Sequence, residues 1–155
     1  MEKIKLKEKA GYGFGDFASS MFWKMFSVYL LFFYTDVFGI SAAVVGTMFL
    51  VTRIFDGLND PIMGILADRT NTKWGKFRPY LLWMAIPFAL FGVLTFTTPD
   101  LTTSSKIIYA YVTYCLMMIV YTAVNVPYAS LLGVMTSNLK DRTSLASFRF
   151  IFAFA

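Results

Sequence analysis

Residues 53–61 read RIFDGLNDP and lie within a hydrophobic segment of the chain. A charge in the hydrocarbon region of a bilayer is strongly unfavourable unless it is paired or faces a water-filled cavity. Arg53, Asp56 and Asp60 recur at intervals that place them on one face of a helix, at about 100° per residue. Gly64 continues the same face by one more turn. The stretch therefore predicts a membrane-spanning helix with one inward-facing polar stripe.

The composition extends this prediction to the whole chain. Of the 155 residues, 57% are hydrophobic and only 15% are charged, whereas about 25% are charged in an ordinary soluble domain. A bilayer core about 30 Å thick is crossed by roughly 20 mainly apolar residues. Predicted spans cover about residues 12–34, 41–66, 79–98 and 107–134, and a fifth segment occupies residues 143–155. The expected fold class is an all-α membrane protein.

The basic residues predict the orientation of these spans. Ten Lys or Arg residues fall in the segments assigned to the inner side, one falls in the outer loops and three fall within spans. Positive charge accumulates on cytoplasmic loops, so we expect a multi-pass protein of the plasma membrane with a cytoplasmic amino terminus. Basic clusters that alternate with apolar runs argue against nucleic-acid binding. Because the fifth segment is too short to cross a bilayer, we expect an amino-terminal fragment; a complete four-helix protein is the alternative.

Several kinds of chemistry are excluded by residue type. The chain has no histidine, which removes histidine acid–base catalysis and histidine metal sites. Cys115 is the single cysteine and can form neither an internal disulfide nor a thiolate cluster. No nucleophile and base pair can be assembled, so we expect no enzymatic activity and no cofactor.

The polar stripe favours a cation site. Asp56 and Asp60 lie one turn apart and repel each other, and a bound Na⁺, Li⁺ or proton, or a nearby basic group, would relieve that repulsion. Asn59 can add a carbonyl oxygen, the ligand type that hard cations prefer. Asp60 also precedes Pro61, which frees backbone groups. The alternative is that Arg53 and Asp56 form an ion pair that joins two helices.

A second polar face lies on the first span, where Asp16, Ser20 and Lys24 are spaced by four. Lys24 is too deep to reach the interface fully and therefore needs a carboxylate or an anion. We hypothesise that it pairs with Asp56 or Asp60, and either competes with the coupling cation or helps to bind an acidic substrate. A purely structural salt bridge is the alternative.

The inner half of the fourth span is polar and aromatic. It contains Tyr121, Thr122, Asn125, Tyr128 and Ser130 around Pro127, which interrupts the helical hydrogen bonds. Aromatic faces pack against the C–H patches of sugars, and amides and hydroxyls bond to sugar hydroxyls. The segment therefore suits a sugar site, although Tyr in a span also serves as a packing residue or interface anchor.

Six ordered stretches carry a resemblance to a known family: residues 12–17 (YGFGDF), 33–37 (FYTDV), 53–61 (RIFDGLNDP), 68–70 (DRT), 74–79 (WGKFRP) and 125–128 (NVPY). Together they resemble the glycoside-pentoside-hexuronide cation symporters, the melibiose-carrier branch of the major facilitator superfamily. The resemblance implies twelve helices in two halves with substrate at the midplane, of which this chain holds the first four and the start of the fifth. It also implies that a carboxy-terminal transporter half is missing.

The resemblance assigns roles to individual residues. The implied cation site comprises Asp56, Asp60, Asn59 and Thr122. The implied sugar contacts are Ser20, Tyr121, Asn125 and Arg149, to which we add Lys24. Residues that resemble the superfamily's latch between helices two and three are Gly64, Asp68, Arg69, Lys73, Lys76 and Arg78. Asp16 and Arg53 are expected to balance charge.

Departures from the family pattern bear on the substrate. Melibiose carriers have Asp at the position of Asn125, Trp at that of Ala129, and Asn or Asp at that of Ser20, while Lys24 has no counterpart. An acidic sugar such as a hexuronide, with Lys24 and Arg149 as anion partners, is therefore a candidate beside neutral glycosides.

The expected function is cation-coupled symport of a sugar, glycoside or hexuronide, with Na⁺ or H⁺ as the coupling cation and Li⁺ as a further candidate. Apart from such a Na⁺, no metal is expected. The expected partners are a small-molecule sugar, a monovalent cation and the lipid bilayer. We expect the chain alone to be inactive. The alternative is a non-transporting four-helix membrane scaffold or partner-binding protein.

Overall fold

A computed structural model describes residues 5–154, and these residues form five α-helices and no β-strand. The helices are α1 (Leu6–Phe32), α2 (Ala42–Arg69), α3 (Arg78–Thr95), α4 (Thr103–Met135) and α5 (Leu139–Phe154). The last turn of α1 continues as a π-helix, Phe33–Val37. Four helices, α1 to α4, are long and apolar enough to cross a membrane. The predicted all-α membrane class is confirmed.

Most of the helices extend beyond the predicted spans, but α3 ends at Thr95, before the predicted limit near residue 98. α1 starts at Leu6 and α4 at Thr103, whereas the hydrophobic runs begin near residues 12 and 107. A backbone hydrogen-bond ladder does not end where the bilayer ends, so polar residues at a helix end remain helical. Part of the predicted basic leader, residues 1–4, lies outside the described residues.

Prolines lie inside three of the helices without ending them. They are Pro61 in α2, Pro87 in α3 and Pro127 in α4. A proline cannot donate to the carbonyl one turn earlier, but membrane helices tolerate this loss where neighbouring groups compensate.

The helices pack in an order that differs from the order of the chain. α4 contacts both α2 and α3, and α5 packs back along α1. The larger apolar core joins the carboxy-terminal end of α1 to the amino-terminal ends of α2 and α4, and includes Leu30, Tyr34, Met48 and Met117. A smaller core at the opposite end consists of Tyr12, Tyr128 and Leu145. Most of the charged site residues therefore lie outside the large core.

Candidate functional site

The polar stripe on α2 contains buried polar atoms that have no hydrogen-bond partner in the described part of the chain. Oδ1 of Asp56 and Nδ2 of Asn59 are both buried, and neither bonds to a group in residues 5–154. Asp60, one turn further along, is exposed. A buried carboxylate oxygen without a donor is unfavourable, so this position suits a bound cation or proton.

Asn59 and Thr122 are the neutral residues expected to supply oxygen atoms beside Asp56 and Asp60. Within residues 5–154, no three carboxylate, imidazole or thiolate side chains meet as a metal site does. A cation held by Asp56 and Asp60 would therefore need neutral oxygen ligands as well. Asn59 can supply its side-chain carbonyl oxygen if the amide oxygen and nitrogen exchange positions. Thr122 is buried on α4, the helix that packs against α2. The resemblance placed these four residues together; the structure locates them on two contacting helices.

Arg53 does not neutralise Asp56 by direct contact. Its guanidinium lies over the Trp23 ring, 4.8 Å from the ring centroid. The two ion pairs in the described part of the chain are Lys9–Asp141 and Arg149–Asp16. The alternative of an Arg53–Asp56 ion pair is therefore not found, because the aromatic face on α1 holds the guanidinium instead.

Lys24 has no carboxylate partner in residues 5–154. Its side chain is exposed and belongs to neither ion pair. The hypothesised pairing of Lys24 with Asp56 or Asp60 is therefore wrong in this structure. The reason is the helical turn: Trp23 faces α2 and α4, and the next residue is rotated by about 100°.

An aromatic contact joins α1 to α4 at the level of Arg53. Trp23 stacks on Tyr121 with ring centroids 5.2 Å apart and planes inclined by 29°. Tyr121 and Ser20, both expected at the sugar site, are half-buried. Trp23 was not predicted as a site residue, although it precedes Lys24 and its large ring could have suggested a role. The chain of contacts Arg53–Trp23–Tyr121 connects α2, α1 and α4.

A second polar cluster joins α1, α4 and α5, and we call it the Asp16 cluster: Asp16, Arg149, Tyr12 and Tyr128. Nε of Arg149 donates to Oδ1 of Asp16 across 3.0 Å. The guanidinium lies 5.5 Å from the Tyr128 ring centroid, and Tyr128 stacks on Tyr12 at 4.7 Å. The Tyr128 hydroxyl donates to the backbone carbonyl of Tyr12. Asp16 is only 6% exposed, so its charge is balanced within the protein.

Two glycines allow the helices to approach closely enough to form this cluster. A Cβ atom at Gly15 would lie 2.7 Å from Cε2 of Tyr128, and one at Gly13 would lie 2.5 Å from Cδ2 of Phe152. Neither position has room for a larger residue unless an aromatic ring moves. The motif YGFGDF therefore brings α1 against α4 and α5 through its glycines.

Asn125 lines a cavity of about 350 Å³ between α1, α3 and α4. Tyr12, Tyr128, Ser19 and Arg78 contribute to the same cavity. This volume lies at the lower end of the range for small-molecule pockets, about 300–1,000 Å³. Ser20, Tyr121 and Arg149 do not line it, so Asn125 is the predicted sugar contact that borders this cavity.

The connection between α2 and α3 is exposed and carries several charged side chains. Asp68, Arg69, Lys73 and Arg78 are exposed there, and none of them forms an ion pair within the described residues. Gly64 lies near Val126 of α4. A Cβ atom placed on this glycine would lie 4.0 Å from Cγ1 of Val126. The predicted latching role of these residues stays a prediction.

A family model described as MFS/sugar transport protein matches residues 11–155. The chain belongs to this family. Its helical membrane fold and the polar residues inside its spans agree with that membership, and the chain is a multi-pass membrane protein.

Relatives are similar along nearly the whole chain. One is a symporter of Escherichia coli, provisionally named for glycosides and cations, which is 53% identical over all of this chain and 34% of its own length. The isoprimeverose transporter of Lactiplantibacillus pentosus is 52% identical over 94% of this chain and 30% of its own length. A glucuronide carrier protein homolog of Escherichia coli is 40% identical over 98% of this chain and 34% of its own length. The chain spans about a third of the length of these curated relatives.

Proposed function

We propose that the chain forms part of a cation-coupled secondary symporter of a sugar, glycoside or hexuronide. The observation that carries the proposal is the buried, unpartnered oxygen of Asp56, one turn from Asp60, in a chain of this family. The names of the relatives agree with it, since they include a glycoside/cation symporter, an isoprimeverose transporter and a glucuronide carrier homolog. No covalent chemistry is involved.

Cation binding would favour sugar binding through charge and packing. A Na⁺, Li⁺ or proton at Asp56 and Asp60 removes the repulsion between the two carboxylates. Arg53 lies on the same helix and touches Trp23, which stacks on Tyr121, so a shift of α2 reaches the proposed sugar surface on α1 and α4. Cation and sugar should then raise each other's affinity by one shared factor.

The proposal includes partners beyond the chain. The transporter would lie in the cell membrane with a cytoplasmic amino terminus, as the distribution of basic residues suggests. A carboxy-terminal half would complete the sugar site and allow exchange between inward-open and outward-open states. The exposed charges of the α2–α3 connection are available for contact with that half.

A chimera tests the proposal. The matching segment of the isoprimeverose transporter is replaced by this chain, and uptake of isoprimeverose is measured in proteoliposomes with and without gradients of Na⁺, Li⁺ or H⁺. We expect cation-stimulated uptake that Asp60→Asn abolishes. Asp100→Asn, which changes an exposed acid in the α3–α4 connection, should leave it intact. Stimulation that survives Asp60→Asn would refute the cation assignment.

A further inference from the structure

We propose that Asp16 is a positioning residue for Arg149, and that it sets how strongly the sugar site discriminates between neutral and anionic sugars. This inference rests on the proposed function, since it concerns the substrate class of the same site. It was not predicted from the sequence, where Asp16 was assigned only to charge balance.

The first step is the way in which Arg149 is held. Its hydrogen bond from Nε to Oδ1 of Asp16 is the one that its side chain makes within residues 5–154. A guanidinium carries five N–H donors in a fixed planar fork. Because Asp16 takes the Nε edge, the terminal NH₂ groups keep no protein acceptor among these residues and remain available to a ligand.

The second step is the fixed plane of the guanidinium. The group lies over the Tyr128 ring, and that ring is itself held by stacking on Tyr12 and by its hydroxyl bond to the Tyr12 carbonyl. Gly15 packs directly against the same ring. With Asp16 at one edge and Tyr128 at one face, Arg149 has little freedom to turn. A fork held in this way can donate two parallel hydrogen bonds at little cost in entropy.

The third step is an unsatisfied group in the same cluster. The Tyr12 side chain is 5% exposed, and its buried hydroxyl has no hydrogen-bond partner within residues 5–154. The Tyr12 ring stacks on Tyr128, over which the Arg149 guanidinium lies. A ligand that brings both donors and acceptors would satisfy these groups together. Adjacent sugar hydroxyls bring both, whereas a carboxylate brings acceptors alone.

The fourth step is the net charge. Asp16 is buried beside Arg149, so the pair presents no net charge, and the exposed Lys24 belongs to neither ion pair of the described residues. Without the carboxylate, Arg149 would present a full positive charge in a poorly solvated site, where charge-assisted bonds to an anion are strong. Asp16 therefore weakens the preference for an anionic sugar and supports binding of a neutral one.

The test uses the chimera described above with three substitutions. Asp16→Asn should raise the isoprimeverose concentration for half-maximal uptake about tenfold. It should also increase inhibition by glucuronate relative to inhibition by glucose about tenfold, while cation stimulation persists. Asp16→Glu should restore most of the selectivity. Asp141→Asn is the matched control, because Lys9–Asp141 is the other ion pair between α1 and α5, and it should change neither quantity.

The outcomes separate this inference from a structural role. Equal effects of Asp16→Asn and Asp141→Asn would overturn it, since both would then act only by loosening α5 from α1. Unchanged selectivity in Asp16→Asn would overturn it as well. If the unsubstituted chimera shows no cation-stimulated uptake, that result counts against the proposed function instead.

A second measurement needs no transport. In the chain held in detergent micelles, the Nε–H resonance of Arg149, assigned by its loss in Arg149→Lys, should exchange slowly with solvent. Asp16→Asn should speed that exchange at least about tenfold, because the acceptor of a charge-assisted bond is weakened. Rapid exchange in the unsubstituted chain would show that the Asp16–Arg149 bond is absent, and would overturn the inference whatever the chimera does.

Discussion

Asp16 and Asp56 are both carboxylates within membrane helices, but within residues 5–154 only Asp16 has a hydrogen-bond partner. Asp16 accepts a hydrogen bond from Arg149 at 3.0 Å, whereas Oδ1 of Asp56 is buried without any hydrogen bond. A satisfied carboxylate organises the groups around it. An unsatisfied one favours the arrival of a cation or proton. Under the proposed function, the difference separates a residue that shapes the sugar site from one that binds the cation.

The difference arises from the neighbouring helices. α5 packs along α1 and brings the guanidinium of Arg149 opposite Asp16. Asp56 has a cation on its own helix one turn earlier, but Arg53 points to Trp23. Both arginines lie over an aromatic ring, but only Arg149 also forms an ion pair with a carboxylate in the described residues.

The largest expected effect separates the two acids by cation dependence. In the chimera, Asp56→Asn should reduce the ratio of uptake with and without a cation gradient to about one, because the remaining carboxylate no longer has a charged neighbour to share an ion. Asp16→Asn should keep a ratio well above that value. Loss of stimulation in both variants, at normal levels of protein in the membrane, would remove the distinction between them.

Stability should change in opposite ways for the same two substitutions. Asp16→Asn weakens a charge-assisted bond to a partly buried arginine and should lower the free energy of unfolding by about 1–3 kcal/mol. Asp56→Asn removes a charge that has no donor, so it should leave stability unchanged or increase it. Thermal unfolding of the chain in detergent measures both. A clear loss of stability in Asp56→Asn would indicate that this carboxylate has a partner.

Trp23→Leu tests whether the ring keeps Arg53 away from Asp56. The contact between a guanidinium and an indole contributes about 0.5–1 kcal/mol at such a site. Without it, Arg53 is free to approach Asp56 and compete with the cation, so the apparent cation affinity should fall about two- to fivefold. Trp74→Leu, at an exposed position of the α2–α3 connection, is the control. Tighter cation binding in Trp23→Leu would contradict this role for Arg53.

The smallest effect is expected for Lys24→Gln. Because this lysine is exposed and unpaired among the described residues, its replacement should change stability by less than about 0.5 kcal/mol. Cation dependence and substrate preference of the chimera should stay the same. A changed cation dependence would show that Lys24 reaches Asp56 or Asp60 in another conformation, and would give Asp56 the partner that it lacks here.

Local patterns in the sequence were sufficient to predict the helices, and they place Asp56, Asn59 and Asp60 within one turn or so of α2. Hydrophobic runs and the spacing of Asp56, Asn59 and Asp60 are set within one helix, so they can be interpreted without knowing how helices pack. The Asp16–Arg149 bond joins residues 133 positions apart, and the Arg53–Trp23 contact joins two helices. Such contacts depend on the angles at which helices cross, which no single segment contains. Arg149 and Thr122 were recognised as site residues only through the family resemblance.

Gly15 carries no charge, but it affects the position of Arg149 through the Tyr128 ring. Its missing side chain is the space that the Tyr128 ring occupies, since a Cβ there would meet Cε2 at 2.7 Å. One methyl group at this position would push the ring, and the ring would carry the guanidinium with it, although every charge stays in place. Under the proposed function, substrate preference would then change through the volume of an uncharged glycine, and comparisons restricted to polar residues would overlook the change.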